Sequence, residues 1–354
     1  MIYVALFVVG IYGLTLWAKK INSKLLLWLA CAGMICIAGV RRGYIDTRAY
    51  RQGFINIDVS EVLSWDFLKG EGRDKGFSVF GALIKLFTED SQIYLFILSL
   101  ITVGCLFWGI AKRVPNVELG IFLLITTGCF LDTMNGVRQF LVSAILFVFL
   151  PKFIQEKKPI KYILVVLLMS TLHGTALLFI PLYFIARVKV WSKGTWGILV
   201  IGVLACIFFN SGIGQGLAEI LEGTEYGEDY GKMLIEGNTS VNILRIIVAL
   251  APLVLSFLMK EKTEKHTPIY TIAFNMSLIN FLVWIFATRA LYFYRLAMYF
   301  TPYMILLLCY EIYALTKETD RVLVYSAVLI LFFVFHLYSV YVMGDLLFVG
   351  YWKY

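Results

Sequence analysis

Long apolar runs separated by short polar stretches recur along nearly the whole chain, and most runs approach the ~20 residues that cross a bilayer rather than alternating as a strand does. Read by this pattern, helical spans fall near residues 2–18, 25–40, 93–111, 117–131, 137–154, 161–171, 174–187, 195–210, 241–259, 269–287, 296–315 and 322–343. The chain is therefore expected to be an all-α polytopic membrane protein with about 12 transmembrane or re-entrant helices. A closed β-barrel would show alternating segments of about ten residues instead. No tandem repeat and no soluble second domain interrupts the pattern, so residues 1–354 read as one integral membrane domain. The run Met1 to Ala18 lacks a basic leading segment and a small-residue cleavage site, and is expected to stay as a helix.

One stretch admits two readings. Lys161 to Arg187 is either a single tilted helix or a pair of short halves. A single helix would carry the basic, acid-free segment Arg187 to Gly194 to the outside and invert every later element, so a helical pair turning at His173 and Gly174 is expected.

Charge then orients the spans. Connections holding Lys19, Lys112, Lys152, Lys189, Lys260 and Lys317 alternate with connections poor in Lys. The Lys-bearing set carries 17 of the 31 basic residues and a net +11, the opposite side nets −2, and Glu311 inside the span at 296–315 supplies the remaining −1. Positive-inside topology places the first set in the cytoplasm and both termini outside. It also accounts for the net +8, so nucleic acid is not an expected partner. A composition of 60% hydrophobic and 15% charged residues, with mean hydropathy +0.83, excludes a soluble core. All six cysteines lie inside apolar runs with no paired spacing, so neither disulfides, nor a metal, nor a cofactor is expected.

Two connections on the outer side are long. Residues 41–92 carry eight acidic and eight basic residues among scattered aromatics, a composition suited to short interfacial helices. Residues 211–240 hold seven Gly and six acids and read as an acidic flap.

Chemistry gathers on that same side, where nine of the 12 arginines fall. Lys in inner loops is what topology requires, while Arg at outer helix ends suits a phosphate or pyrophosphate. Arg41 and Arg42 open a segment that also holds Asp46, Arg48, Tyr50 and Arg51, readable as an interfacial anchor or an anion site. Asp132, Asn135, Arg138 and Gln139 occupy a short turn that begins a helix, either as a capped turn or with free N–H groups facing a phosphate. His173 sits at the tip of the Lys161 to Arg187 hairpin, as a packed ring or a base. Arg289 and Arg295 flank an aromatic run, and Arg245 stands about one turn inside a span, where it demands a partner. His266 lies in a Lys-rich inner loop and His336 midway along the last span, and both read as solvated or packed. Gly212, Gly214 and Gly216 follow no strand and cannot form a dinucleotide loop, and the triplet Asn238-Thr239-Ser240 carries no weight. No Walker loop, HExxH or GxSxG is present.

In order along the chain stand Arg41 or Arg42 with Gly43, Asp46, Thr47 and Tyr50, then Asp74-Lys75-Gly76-Phe77, then Asn135, Arg138 and Gln139, then His173 before an apolar run ending at Pro181. This succession resembles the EpsG/Wzy-type polysaccharide polymerases of bacterial exopolysaccharide, capsule and O-antigen assembly. The resemblance implies a helical glycosyltransferase fold of the C type in the cytoplasmic membrane, with its active face extracytoplasmic. It implies oligosaccharide repeat units on undecaprenyl pyrophosphate as substrate, and a flippase and a chain-length regulator as partners. Glycosyl transfer from a pyrophosphate needs cations for the leaving group and a base for the acceptor hydroxyl. With no carboxylate cluster for a metal, Arg41 or Arg42, Arg138, Arg245, Arg289 and Arg295 are the expected cations, His173 or Asp46 the base, and Tyr50, Asp132, Asn135 and Gln139 the positioning groups. A lipid-linked oligosaccharide flippase or exporter and a membrane O-acetyltransferase are the competing classes.

Overall fold

A computed structural model describes residues 2–70, 72–209, 241–260, 267–290, 293–315 and 317–342. The acidic segment 211–240, His266 and the Leu291–Tyr292 pair lie outside the described residues. All regular structure among the described residues is helical. The helices are α1 (Ile2–Lys20), α2 (Lys24–Gly39), α3 (Thr47–Ile55), α4 (Val59–Val62), α5 (Trp65–Lys69), α6 (Lys75–Lys85), α7 (Ser91–Ala111), α8 (Val117–Thr126) and α9 (Cys129–Asp132). They continue as α10 (Val137–Gln155), α11 (Pro159–Ser170), a 3-10 turn (Gly174–Leu178), α12 (Phe179–Ile185), α13 (Lys193–Ile207), α14 (Ile243–Leu258), α15 (Pro268–Ala287), α16 (Tyr294–Ala314) and α17 (Glu318–Val342).

Six of these, α1, α7, α10, α15, α16 and α17, are long and apolar enough to cross a membrane, and six shorter apolar segments accompany them. The protein is thus a multi-pass membrane protein. Side chains such as Leu6, Trp28, Leu164 and Leu331 on four of these apolar helices remain more than half exposed, as suits helices whose outer faces meet lipid.

Local signals mark many boundaries. Ser23, Ser64, Asp90 and Thr267 each accept a backbone N–H in the first turn of the helix they precede, and Pro268 occupies a first-turn position where its missing N–H costs nothing. The run at 117–131 is not one helix: Gly128, at φ +87°, ends α8 and starts the single turn α9. Between Lys161 and Arg187 the helix breaks after Ser170. The Tyr162 hydroxyl, near the start of α11, donates to the Phe179 carbonyl at 2.6 Å, and the Tyr162 and Tyr183 rings meet edge to face at 5.1 Å. Contacts between one end of α11 and the far part of α12 require the two halves to run back along each other.

Helices α10, α15 and α16 form the buried centre, with α1 and α17 at the periphery. Ser143 donates to the Met298 carbonyl at 3.3 Å and Gln139 to the Arg295 carbonyl at 2.7 Å, fixing the start of α10 against the start of α16. The short helices α3 to α6 cap one end of the bundle through a satellite core. There Phe54 and Tyr94 stack at 4.3 Å beside Ile84, Leu98, Val137 and Leu141. Lys85 ties α6 to the end of α3, its ammonium donating to the Ile55 and Ile57 carbonyls at 2.6 and 2.7 Å.

Candidate functional site

A cavity of about 440 Å³ opens beneath the α3 to α6 cap. Its walls come from α3 (Ala49, Tyr50, Gly53, Phe54), α6 (Phe77, Ser78), the start of α7 (Tyr94), the start of α10 (Gly136, Arg138, Gln139), the turn at His173 and the start of α16 (Arg295), with Asp46 at the entry to α3.

Asp74 organises this space although it does not line it. It stands before α6 with φ 51° and ψ 34°, a left-handed conformation that Asp tolerates better than most residues. Its side chain does not cap its own helix. Instead Oδ2 accepts from Arg138 Nη1 at 3.0 Å and faces His173 Nδ1 at 3.2 Å, while Oδ1 accepts the Gly174 N–H at 2.9 Å. The Asp74 side chain is 4% exposed. Burial alone pushes its carboxyl upward, but the hydrogen bond from His173, the charge that ring carries when protonated in acid, the Gly174 N–H and the Arg138 charge outweigh it and hold Asp74 below the usual carboxylate range.

The backbone locks this arrangement. The Gly76 N–H donates to the Thr171 carbonyl at 2.9 Å, and a Cβ on Gly76 would lie 2.3 Å from Thr171 Oγ1 and 2.9 Å from its carbonyl carbon, so only glycine permits the approach. Thr175 hydrogen-bonds Tyr299 on α16 at 2.9 Å and holds the His173 turn from the other side.

The start of α10 is tied differently from expectation. Two amides there are already engaged by side chains: the Gly136 N–H donates to Asp46 Oδ2 at 2.9 Å and the Arg138 N–H to the Tyr50 hydroxyl at 3.2 Å. Asp46 and Tyr50 thereby seat Arg138, whose guanidinium also lies 5.6 Å over the Phe77 ring.

Of the residues singled out from sequence, the cavity gathers Asp46, Tyr50, Arg138, Gln139, His173 and Arg295. It does not gather Arg41, Arg42, Arg245, Arg289, Asp132 or Asn135. Arg41 is 1% exposed and spends its guanidinium on the Thr47 and Ser99 hydroxyls and the Ala38 carbonyl, at 3.1, 2.9 and 2.6 Å. Helix α2 ends two residues before it, and packing against α7 turns its side chain inward. Arg42 and Arg289 are exposed. Arg245 lies 5.4 Å over the Trp284 ring and borders a separate recess of about 20 Å³, large enough for a single water, together with Asp132. Asn135 stays in its turn, its N–H on the Asp132 carbonyl at 3.0 Å. Sequence reasoning quoted Asp74 only within a motif and gave it no role. The available signal was an acid two residues before a glycine and three before an aromatic. Among the described residues no group of three or more His, Cys, Asp and Glu is placed to hold a metal.

A family model described as EpsG family matches residues 24–354. No curated protein and no solved structure matches the chain.

Proposed function

Since the chain belongs to the EpsG family, we propose that it is a polysaccharide polymerase, joining oligosaccharide repeat units carried on undecaprenyl pyrophosphate at the outer leaflet of the bacterial cytoplasmic membrane. The single observation that carries this reading is the convergence of Arg138, Arg295 and His173, from three distant segments, on one cavity at one end of the bundle. In this reading the acceptor hydroxyl attacks the anomeric carbon of the donor sugar and gives its proton to His173. The bond from that carbon to the pyrophosphate oxygen breaks, and the electron pair leaves with the pyrophosphate. Arg138 and Arg295 take up the charge that develops there, so the step asks for no metal. His173 is preferred to Asp46 as base because Asp46 already holds the Gly136 N–H.

The proposal includes about twelve crossings arranged as in a C-type glycosyltransferase, supported by the six long and six shorter apolar helices. It places the cavity on the extracytoplasmic side, supported by the +11 against −2 division of loop charge.

Purified protein in liposomes, supplied with lipid-linked repeats, provides the test. Longer glycans support a polymerase, transfer of unchanged repeats between leaflets a flippase, and a mass gain of one acyl group an acetyltransferase. Arg138→Ala is expected to lower the rate about a hundredfold, roughly 3 kcal/mol of transition-state stabilisation. Unaltered polymer length and yield from both Arg138→Ala and His173→Ala overturn the reading.

A further inference from the structure

Asp74 does not line the cavity, yet it binds two of the groups that the polymerase reading uses. Its three partners differ in what they can exchange. The Gly174 N–H and the Arg138 guanidinium are donors and nothing else, so both Asp74 oxygens already act as acceptors. His173 Nδ1 faces the same Oδ2 at 3.2 Å. The contact is favourable only if Nδ1 carries the hydrogen, because a lone pair there would oppose the lone pairs of the carboxylate. A neutral imidazole with hydrogen on Nδ1 bears its lone pair on Nε2, and His173 lines the cavity.

We propose that Asp74 is a positioning residue that selects the Nδ1–H tautomer of His173, leaves Nε2 as the proton acceptor toward the cavity, and sets Arg138 at a fixed distance from that base. The inference rests on the polymerase reading for its chemistry. Base and cation share one carboxylate oxygen, so the group that receives the acceptor proton and the group that steadies the leaving pyrophosphate are held in one frame. As Nε2 takes the proton and the ring becomes a cation, Asp74 is already in place as its counter-charge. The left-handed backbone at Asp74 and the glycine-only approach of Gly76 to Thr171 have a role in this view, since both keep the carboxylate on the His173 turn rather than on its own helix.

Full-length protein labelled with 15N-histidine in detergent micelles tests this without substrate, with His173→Gln identifying the signal among the three histidines. The wild type is expected to show His173 as the Nδ1–H tautomer, and an Nε2–H ring in the wild type overturns the proposal with no variant needed. In Asp74→Asn the amide can donate to Nδ1, so the tautomer is expected to invert. With lipid-linked repeats, kcat of Asp74→Asn should fall about 10²-fold or more while KM holds or falls, because Arg138 keeps its charge. Asp74→Glu, which keeps the carboxylate, should recover part of both. An active polymerase in which Asp74→Asn preserves tautomer and kcat overturns the positioning role. A wild type that has the Nδ1–H ring dependent on Asp74 but lengthens no glycan overturns the polymerase reading and leaves the geometry standing.

Discussion

At the scale of single residues, two arginines three places from a helix boundary or less take opposite parts. Arg41 is enclosed and serves its neighbours, whereas Arg138 is 41% exposed at the cavity. Arg41→Ala is expected to act on stability, at about 1–3 kcal/mol for each buried acceptor left without its donor, and to show as a lowered unfolding temperature in detergent. Arg138→Ala takes one donor from the buried Asp74 carboxylate, which keeps His173 and the Gly174 N–H, so it is expected to lower that temperature less than Arg41→Ala does while reducing the rate about a hundredfold. Asp74 supplies a pH dependence whose direction follows from its depressed pKa. Its stabilisation is complete above the unfolded value of about 3.9 and is lost as pH falls through the lower folded value. Unfolding temperature measured from pH 7 down to 3 should therefore be steeper below about pH 4 in the wild type than in Asp74→Asn. Neither distinction is legible in sequence, because Arg41 and Arg138 are the same residue type at similar helix ends, and only the packed neighbours differ.

At the scale of elements, the helical spans and the turn at His173 follow from hydropathy and from the cost of an unpaired backbone in lipid, which leaves a spanning segment little choice but helix. The break at Gly128 was less visible, since one glycine inside an apolar run also suits a continuous helix. The α6 entry carries a sharper test. Gly76→Ala puts a methyl group against the Thr171 backbone, with an expected cost of about 1–3 kcal/mol by overpacking. Because the strain falls on the contact between the Asp74 and His173 turns, activity should decline further than stability, measured as kcat against unfolding temperature for the same preparation. Tyr94 and Ser78 entered the cavity wall without being anticipated, and Phe77 was quoted only within a motif, as aromatic and small residues look the same in sequence whether they face a core or a cavity.

At the scale of the whole molecule, charge asymmetry gives a topology that labelling can check. In a cysteine-free background, Glu89→Cys between α6 and α7 should react with a membrane-impermeant thiol reagent in intact cells, and Lys158→Cys before α11 only after permeabilisation. The reverse pattern would put the cavity in the cytoplasm and remove the outer-leaflet site. What the chain's sequence determined by itself is the class of the protein, a multi-pass helical membrane protein, and where most of its apolar helices fall, because hydropathy is a property of each residue and is read along the chain without knowledge of its neighbours in space. What only the tertiary structure decided is which residues meet. Arg138, His173 and Asp74 come together, and Arg41, Arg245 and Arg289 do not, because lateral position in a helix bundle is set by side-chain packing between segments far apart in the chain.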